Sequence, residues 1–308
     1  MLFASSARFL VARVVFGALI VTSALRAQNS APTRSIDGDR ASAPIVWRGL
    51  EPAVDVMIGS KGPYRFAIDT GASGDARADT SLVTALSLEK IGEARGSSGG
   101  AVQTMPIVLL PELTLGGITW RNLAAPSRDY NGDATLPRVD GIFGGQAFAD
   151  YLLTLDFPNA RLSVTRGALE AGGAGVIDAD FSRRVPQIAI NLAGTTVDAV
   201  IDTGNTTTEL LTVPAAMAKT LPLVAPPTPA GSAATVSGLS QAMTAELNGT
   251  VTVAGVTLTH PRLLFLDGSP TVNIGSAFLR TFALTIDQKN RRVRFVAAPT
   301  LPSPGVVR

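Results

Sequence analysis

The tripeptide Asp-Thr-Gly occurs twice in this chain of 308 residues, at 69–71 and at 202–204. Each copy directly follows an apolar stretch, 66–68 in the first case and 199–201 in the second. A single copy is ordinary turn chemistry, because Asp can bind its own backbone and Gly admits a positive φ. Two neighbouring carboxylates would be different, since they cannot both ionise cheaply. Such a pair shares a proton and offers an acid and a base at the same pH.

The segments around the two motifs repeat one another in the same order, which indicates how the motifs are positioned. Residues 54–58 alternate before the first motif as 188–192 do before the second, and 113–120 match 251–258. Farther along, the stretch 142–164 matches 273–295. Alternation broken by short turns predicts β-strands. A duplicated fold brings equivalent loops face to face, so we expect the carboxylates of Asp69 and Asp202 to meet.

We therefore predict an all-β protein of two similar β lobes. The predicted segments are a leader at 1–27, a flexible lead-in at 28–44, an N-terminal lobe at 45–165, a linker at 166–176, a C-terminal lobe at 177–298 and a tail at 299–308. Each half also predicts one helix. Asp79 can cap a turn that carries Leu82 and Leu86, and Pro214 can open a helix over 215–221.

The first 27 residues resemble a secretory signal. Arg8 and Arg13 precede an apolar stretch at 14–25, and Ala27 stands before polar residues. The stretch falls short of the roughly 20 residues that span a bilayer, so an uncleaved anchor is the lesser alternative. We expect a soluble exported protein, periplasmic or secreted, with no stable membrane insertion after the leader is removed.

Composition excludes several other classes of function. The chain has no Cys and one His, which removes thiol nucleophiles, Cys-based zinc sites and His clusters. We therefore predict no metal and no cofactor. Without the three arginines of the leader, 23 basic residues face 24 acidic ones. That balance gives no nucleic-acid footprint, which needs clustered cationic side chains.

Taken together, these motifs resemble the aspartic protease superfamily, the pepsins and retropepsins. Residues 69–72 and 202–205 are similar to the two catalytic loops of the family. Residues 142–144 and 273–275 stand where the family has a strand of two hydrophobic residues and a Gly, and 274–287 are particularly pepsin-like.

The resemblance implies a pepsin-like or retropepsin-like fold in a single bilobal chain, all-β, with two similar β-barrel lobes and a catalytic cleft between them. It also implies that Asp69 and Asp202 form a catalytic dyad, supported by the loop residues Thr70, Gly71, Thr203 and Gly204. The two threonine hydroxyls would lock the loops together. Peptide hydrolysis would then use an activated water, without a covalent acyl-enzyme.

The sequence also departs from the pepsin pattern. No Tyr lies between Asp69 and Trp120, where pepsins carry a flap tyrosine. The segment with Ser98, Gly99 and Gly100, and its counterpart with Ser237 and Gly238, instead predict two Gly-containing flaps, as in a fused retropepsin dimer. Such flaps would bind an extended peptide through main-chain hydrogen bonds. The alternative is that they are ordinary Gly turns.

Two further departures concern the surroundings of the dyad. Asn273 interrupts the hydrophobic pair of the second half and would need partners if it is buried. Ala72 follows the first Asp-Thr-Gly and lacks a hydroxyl that could stabilise the dyad anion. We therefore expect a mildly acidic pH optimum rather than a strongly acidic one.

The sequence thus predicts a monomeric, exported aspartic endopeptidase that acts on extended peptides or proteins. The main alternative is a non-catalytic peptide-binding or regulatory module on the same fold. A serine hydrolase is a third reading, because 96–100 fit the pattern G-x-S-x-G and His260 could act as the base. That pattern requires a helix to follow, whereas 101–106 predict a strand. The symmetric pair Asp156 and Asp287 is interpreted as hairpin turns.

Overall fold

The computed structural model describes residues 12–14, 18–20, 31–98, 101–132, 137–235 and 238–297. Most of the predicted leader and all of the predicted tail lie outside these ranges. β-Strands dominate the described residues. The strands of the first half are β1 (Ala12–Val14), β2 (Ala18–Ile20), β3 (Thr33–Ile36), β4 (Arg40–Pro44), β5 (Val46–Arg48), β6 (Glu51–Ile58), β7 (Lys61–Asp69), β8 (Ala76–Asp79), β9 (Lys90–Ser98), β10 (Ala101–Leu115), β11 (Ile118–Arg128), β12 (Gly141–Gly144), β13 (Leu152–Asp156) and β14 (Arg161–Thr165).

The second half repeats this architecture with fewer strands. They are β15 (Val176–Asp178), β16 (Gln187–Leu192), β17 (Thr195–Ile201), β18 (Leu211–Pro214), β19 (Thr228–Thr235), β20 (Gly238–Glu246), β21 (Thr250–Val253), β22 (Val256–Thr259), β23 (Arg262–Leu266), β24 (Val272–Ile274), β25 (Phe282–Asp287) and β26 (Arg292–Ala297). The all-β duplicated fold that the sequence predicts is confirmed.

Alternating side chains account for these strands. In β6, Val54, Val56 and Ile58 are buried while Asp55 between them is exposed, so one face of the strand packs on the core. In the first half, the sheet runs in the order β2-β9-β10-β11-β8-β12-β7-β6-β5, and β10 also pairs with β6. This extra pairing curls the sheet back on itself, which gives the lobe its barrel-like form.

Corresponding strands of the two halves pair in the same way around each Asp-Thr-Gly. In the first half, β12 runs parallel to β7 and antiparallel to β8. In the second, β24 runs parallel to β17 and antiparallel to β18. Each motif therefore begins at the end of a strand, β7 or β17, that is hydrogen-bonded to a parallel neighbour, β12 or β24. This pairing fixes the backbone that leads into the aspartate.

A third sheet joins the halves. Its order is β15-β26-β25-β13-β14-β4, so three strands of the second half continue without a break into three strands of the first. The ladder between β13 and β25 crosses from one half to the other, with Leu153 opposite Ile286 and Leu155 opposite Leu284. The hydroxyls of Thr154 and Thr285 lie 3.0 Å apart across this ladder. The apolar core is correspondingly continuous through both lobes.

The flexible lead-in predicted for 28–44 is wrong for much of its length. Thr33–Ile36 pair with β11, and Arg40–Pro44 pair with β14. Ile36, Ala41 and Ala43 are buried, so these strands cover apolar surface despite their small side chains. The other predicted segment boundaries remain predictions.

The helical segments are short. They are α1 (Thr80–Leu86), α2 (Ser276–Leu279) and two 3₁₀ turns, Gly145–Phe148 and Ala215–Lys219. The cap predicted at Asp79 is present, since its Oδ1 accepts a hydrogen bond of 2.8 Å from the backbone N–H of Ser81. After Pro214 the chain forms a 3₁₀ turn that is shorter than the helix predicted there. Among the described residues, no helix is long and apolar enough to cross a membrane.

Candidate active site

The two Asp-Thr-Gly motifs meet at the junction of the lobes. Asp69 and Asp202 have no exposed surface. A Cβ added to Gly71 would overlap the carboxyl group of Asp202, and one added to Gly204 would overlap that of Asp69. Each glycine therefore lies directly against the opposite carboxyl group, and a larger residue would push the two halves apart. The two carboxyl groups are brought together, as the internal repeat predicts.

Reciprocal hydrogen bonds between the two threonines join the loops. The Thr203 hydroxyl accepts from the Thr70 N–H at 3.0 Å and donates to the Ile68 carbonyl at 2.6 Å. The Thr70 hydroxyl accepts from the Thr203 N–H at 3.1 Å and donates to the Ile201 carbonyl at 2.7 Å. Four buried hydrogen bonds thus cross the lobe boundary beneath the carboxyl groups. The resemblance implied this locking role for both hydroxyls.

The two carboxyl groups have unequal surroundings. Oδ1 of Asp202 accepts from the N–H groups of Gly204 at 2.9 Å and Asn205 at 3.1 Å. Oδ2 of Asp202 accepts from Nδ2 of Asn273 at 2.6 Å. Among the residues that the structure describes, neither carboxyl oxygen of Asp69 has a hydrogen-bond partner of normal geometry, although the backbone N–H of Ala72 acts on this carboxyl group and lowers its pKa.

Burial and mutual repulsion perturb both groups. Burial raises the pKa of Asp69 well above its usual range, and the neighbouring Asp202 raises it further, while the positive charge of Arg77 opposes the rise. Burial raises the pKa of Asp202 to about 6, and the hydrogen bonds from Asn273, Gly204 and Asn205 oppose a larger increase. The pair therefore holds a proton at mildly acidic pH, and Asp69 retains it more strongly.

This arrangement agrees with the comparison to protein families. A family model described as aspartyl protease matches the chain twice, over residues 54–147 and 188–278, which together make up more than half of it. The chain belongs to the aspartyl protease family. Each match contains one Asp-Thr-Gly. Comparison with curated proteins finds no match to this chain.

The aspartyl protease fold also explains a second symmetric pair of aspartates. Asp156 Oδ1 accepts from the Asn159 N–H at 3.3 Å, and Asp287 Oδ1 accepts from the Asn290 N–H at 3.0 Å. Both side chains close hairpin turns after strands of the shared sheet, as interpreted from the sequence. Asp287 additionally accepts from the backbone N–H of Leu169 at 2.8 Å, which fastens the connection between the halves.

Two hairpins occupy the positions of the predicted flaps. We call the pair β9–β10 the first flap hairpin and β19–β20 the second flap hairpin. Ser98 lies opposite Ala101 at the end of the first, and Gly238 lies opposite Thr235 at the end of the second. Gly99, Gly100 and Ser237 lie outside the described residues. That the flap residues bind substrate remains a prediction.

The first flap hairpin also argues against the serine hydrolase reading. Ser98 ends one strand of an antiparallel hairpin, and the chain continues directly into β10. A nucleophile elbow needs a helix after the serine, and β10 is a strand of fifteen residues. His260 lies in a turn with half of its side chain exposed, 3.7 Å from Glu246.

The outer edge of each flap hairpin pairs with the N-terminal segment. β1 runs parallel to β19, with Arg13 opposite Ala234, and β2 runs antiparallel to β9, with Leu19 opposite Gly96. Both flap hairpins therefore present an edge that accepts an extended strand through main-chain hydrogen bonds.

Sequence reasoning missed one charged residue near the dyad and left one polar residue without partners. Arg77 is buried in β8, and its positive charge lowers the pKa of Asp69. A charged residue between Ala76 and Ala78 at a strand that follows the motif was the available signal. Asn273 was expected to need partners, and the structure supplies Asp202 and Asn205.

Proposed function

We propose that this aspartyl protease family member is an active endopeptidase with Asp69 and Asp202 as its catalytic dyad. The observation that supports this most strongly is the pair of fully buried carboxyl groups in contact with the opposite motif glycines. Asp202 accepts three hydrogen bonds, whereas Asp69 has no partner of normal geometry among the described residues. Burying two carboxyl groups side by side destabilises a fold, so a reaction that needs both is the simplest reason for them.

The proposed reaction uses a water molecule held between the carboxyl groups. Asp202 accepts a proton from the water as its oxygen attacks the peptide carbonyl carbon, and Asp69 donates its proton to the carbonyl oxygen. The resulting gem-diol collapses when Asp202 passes its proton to the amide nitrogen and the C–N bond breaks. Asp69 recovers a proton from the diol, which restores the initial state of the dyad.

We propose that the substrate is an extended peptide or protein segment bound beneath the flap hairpins. The pairing of β9 and β19 with strands of the N-terminal segment supports this, because it demonstrates edges able to take up extended chain. We further propose that the protein acts as an exported monomer, on the basis of its leader sequence and of a dyad completed within one chain.

The test is cleavage of a diverse peptide pool from pH 3 to 8 by protein beginning at residue 28. Asp69→Asn and Asp202→Asn are assayed beside it, with the fold of each checked by circular dichroism. We expect wild type to cleave and each variant to lose at least about 10³-fold in kcat/KM. The acid limb of the wild-type profile should have its midpoint near pH 6, because Asp202 must be ionised to act as base.

Two results would contradict the proposal. An inert wild type would favour the non-catalytic peptide-binding module, which binding of the same pool to the protein would then reveal. A correctly folded aspartate variant that cleaves at the wild-type rate would exclude the dyad as the source of catalysis.

A further inference from the structure

Equivalent positions beside the two aspartates carry different chemistry. In the first half, Ile142 of β12 lies opposite Arg77 of β8. In the second half, Asn273 of β24 lies opposite Thr212 of β18. The same backbone framework therefore places an apolar side chain in one lobe and a buried amide in the other.

Asn273 belongs to a closed polar network with no exposed surface. Its Oδ1 accepts from Nδ2 of Asn205 at 2.6 Å, and the same Nδ2 lies 3.1 Å from Oγ1 of Thr212. Because the oxygen of Asn273 is occupied by this donor, its amide nitrogen must face Oδ2 of Asp202 at 2.6 Å. Asn205 thus fixes the orientation of Asn273 through a hydrogen bond that does not itself touch the side chain of Asp202.

An amide N–H can only donate, so this contact favours the ionised form of the carboxyl group it touches. In a dry site such a hydrogen bond is stronger than it is in water. Asp69 has no side-chain counterpart, because Ile142 and Ala72 carry no donor at the positions of Asn273 and Asn205, and only the backbone N–H of Ala72 lowers its pKa in this way. The difference in side chains is therefore also a difference in which carboxyl group carries negative charge.

We propose that Asn273 is a positioning residue that assigns the two catalytic roles, holding Asp202 as the carboxylate that deprotonates water and leaving Asp69 as the acid. This inference rests on the endopeptidase function proposed above. The side chain of Asn205 acts one step farther out by orienting the Asn273 amide, whereas its backbone N–H binds Asp202 directly. Loss of either should change the protonation of the dyad rather than only its stability.

Other ionisable groups also face the dyad. Arg77 lies on the Asp69 side and favours ionisation of Asp69, and Arg128, whose guanidinium carbon is 4.8 Å from the centre of the Tyr130 ring, interacts with both Arg77 and Asp69. These charges oppose the assignment proposed here. Burial and the charge of Asp202 outweigh them, since the pKa of Asp69 is raised overall.

The test compares kcat/KM against pH for wild type, Asn273→Leu and the matched variant Ile142→Leu in the other lobe. Removing the donor should raise the acid-limb midpoint of Asn273→Leu by about one pH unit. Ile142→Leu exchanges one apolar side chain for another of the same volume and should leave the midpoint in place. Asn205→Ala keeps the Asn273 amide but removes the side chain that orients it. A smaller upward shift of the acid-limb midpoint is therefore expected.

The proposal is overturned if Asn273→Leu leaves the acid limb where it is in wild type, or if Ile142→Leu moves it equally. A shift of the alkaline limb alone would reverse the assignment, because Asp202 would then be the acid. Carbon-13 NMR titration of the Asp202 carboxyl group gives the same comparison without turnover. Inert wild-type protein with a raised Asp202 midpoint in Asn273→Leu would defeat the endopeptidase proposal and leave the electrostatic effect of Asn273 supported.

Discussion

Asp69 and Asp202 are chemically identical side chains that the fold makes unequal. Asp202 accepts three hydrogen bonds, whereas Asp69 lies in an equally buried site where its carboxyl oxygens have no partner of normal hydrogen-bond geometry among the described residues. Both environments raise the pKa, so each carboxyl group is less costly to bury when protonated. The proposed catalytic arrangement therefore opposes stability at neutral pH.

This conflict predicts that Asp69→Asn gains stability relative to wild type as the pH rises above about 4, where the unfolded carboxyl group begins to ionise. A raised pKa in the folded state contributes stability below the unfolded pKa of about 3.9, and that contribution is lost as the pH rises through the folded pKa. The amide does not ionise, so it avoids this loss. Between pH 3.5 and 8, the thermal unfolding midpoint of Asp69→Asn should increase relative to that of wild type as the pH rises.

Two variants control this measurement. The thermal midpoint of Asp202→Asn should rise less above that of wild type, because the new amide group cannot accept all the hydrogen bonds that Gly204, Asn205 and Asn273 donate. Asp156→Asn changes a turn carboxylate outside the dyad and should not reproduce the pH-dependent gain. A difference between Asp69→Asn and wild type that stays constant from pH 4 to 8 would contradict the assigned burial effect.

At the scale of elements, the two Asp-Thr-Gly loops are held by strand ends and by each other. β7 and β17 bring each Asp to the lobe boundary, and the threonine hydroxyls bind the backbone of the opposite loop. In each loop, some buried backbone N–H and carbonyl groups find a hydrogen-bond partner only in the threonine of the opposite loop. The correct geometry of one loop is therefore conditional on the other, which couples folding of the lobes to assembly of the site.

Thr203→Val should destabilise the protein by about 2–4 kcal/mol. It removes the hydroxyl that serves the Ile68 carbonyl and the Thr70 N–H, and each buried backbone group left unpaired costs about 1–3 kcal/mol. Thr203→Ser keeps the hydroxyl, so its free energy of unfolding should fall much less. Urea unfolding of both variants checks this expectation. An equal fall in the free energy of unfolding for Thr203→Ser and Thr203→Val would refute it. Thr70→Val should behave as Thr203→Val does.

At the scale of the whole molecule, two features extend across both lobes. The sheet built on the β13–β25 ladder joins them, and the N-terminal segment pairs with both flap hairpins. In one lobe the segment adds the parallel strand β1, and in the other it adds the antiparallel strand β2. The chain therefore carries its own extended segment against the edges proposed to receive substrate.

Removal of residues 1–27 should accordingly increase peptide turnover at low substrate concentration. A tethered segment acts at an effective concentration in the millimolar range, so its loss should lower the apparent KM by about tenfold or more. Kinetics of the full chain and of the chain from residue 28 measure this. A synthetic peptide of residues 11–21 should inhibit the shorter form competitively, and a scrambled peptide should not. Equal KM values for the two forms would contradict this role for β1 and β2.

Local sequence was sufficient to place the dyad because its signals repeat. Each Asp-Thr-Gly follows an apolar strand, and the order of elements around Asp69 recurs around Asp202, so a shared geometry could be predicted. The lead-in was mispredicted because Ala41 and Ala43 carry weak strand signals of their own. Their conformation is decided by pairing with β14, more than 100 residues away.

By itself the sequence determined the fold class, the duplication and the meeting of the two carboxyl groups, since all three follow from periodicity and repeated order. Only the tertiary structure decided how those groups differ. Asn273 is 71 residues from Asp202 along the chain, and its effect depends on a 2.6 Å contact and on a partner, Asn205, that fixes its amide. Hydrogen-bond free energies depend on distance and burial, which are properties of the packed lobes and not of residue order.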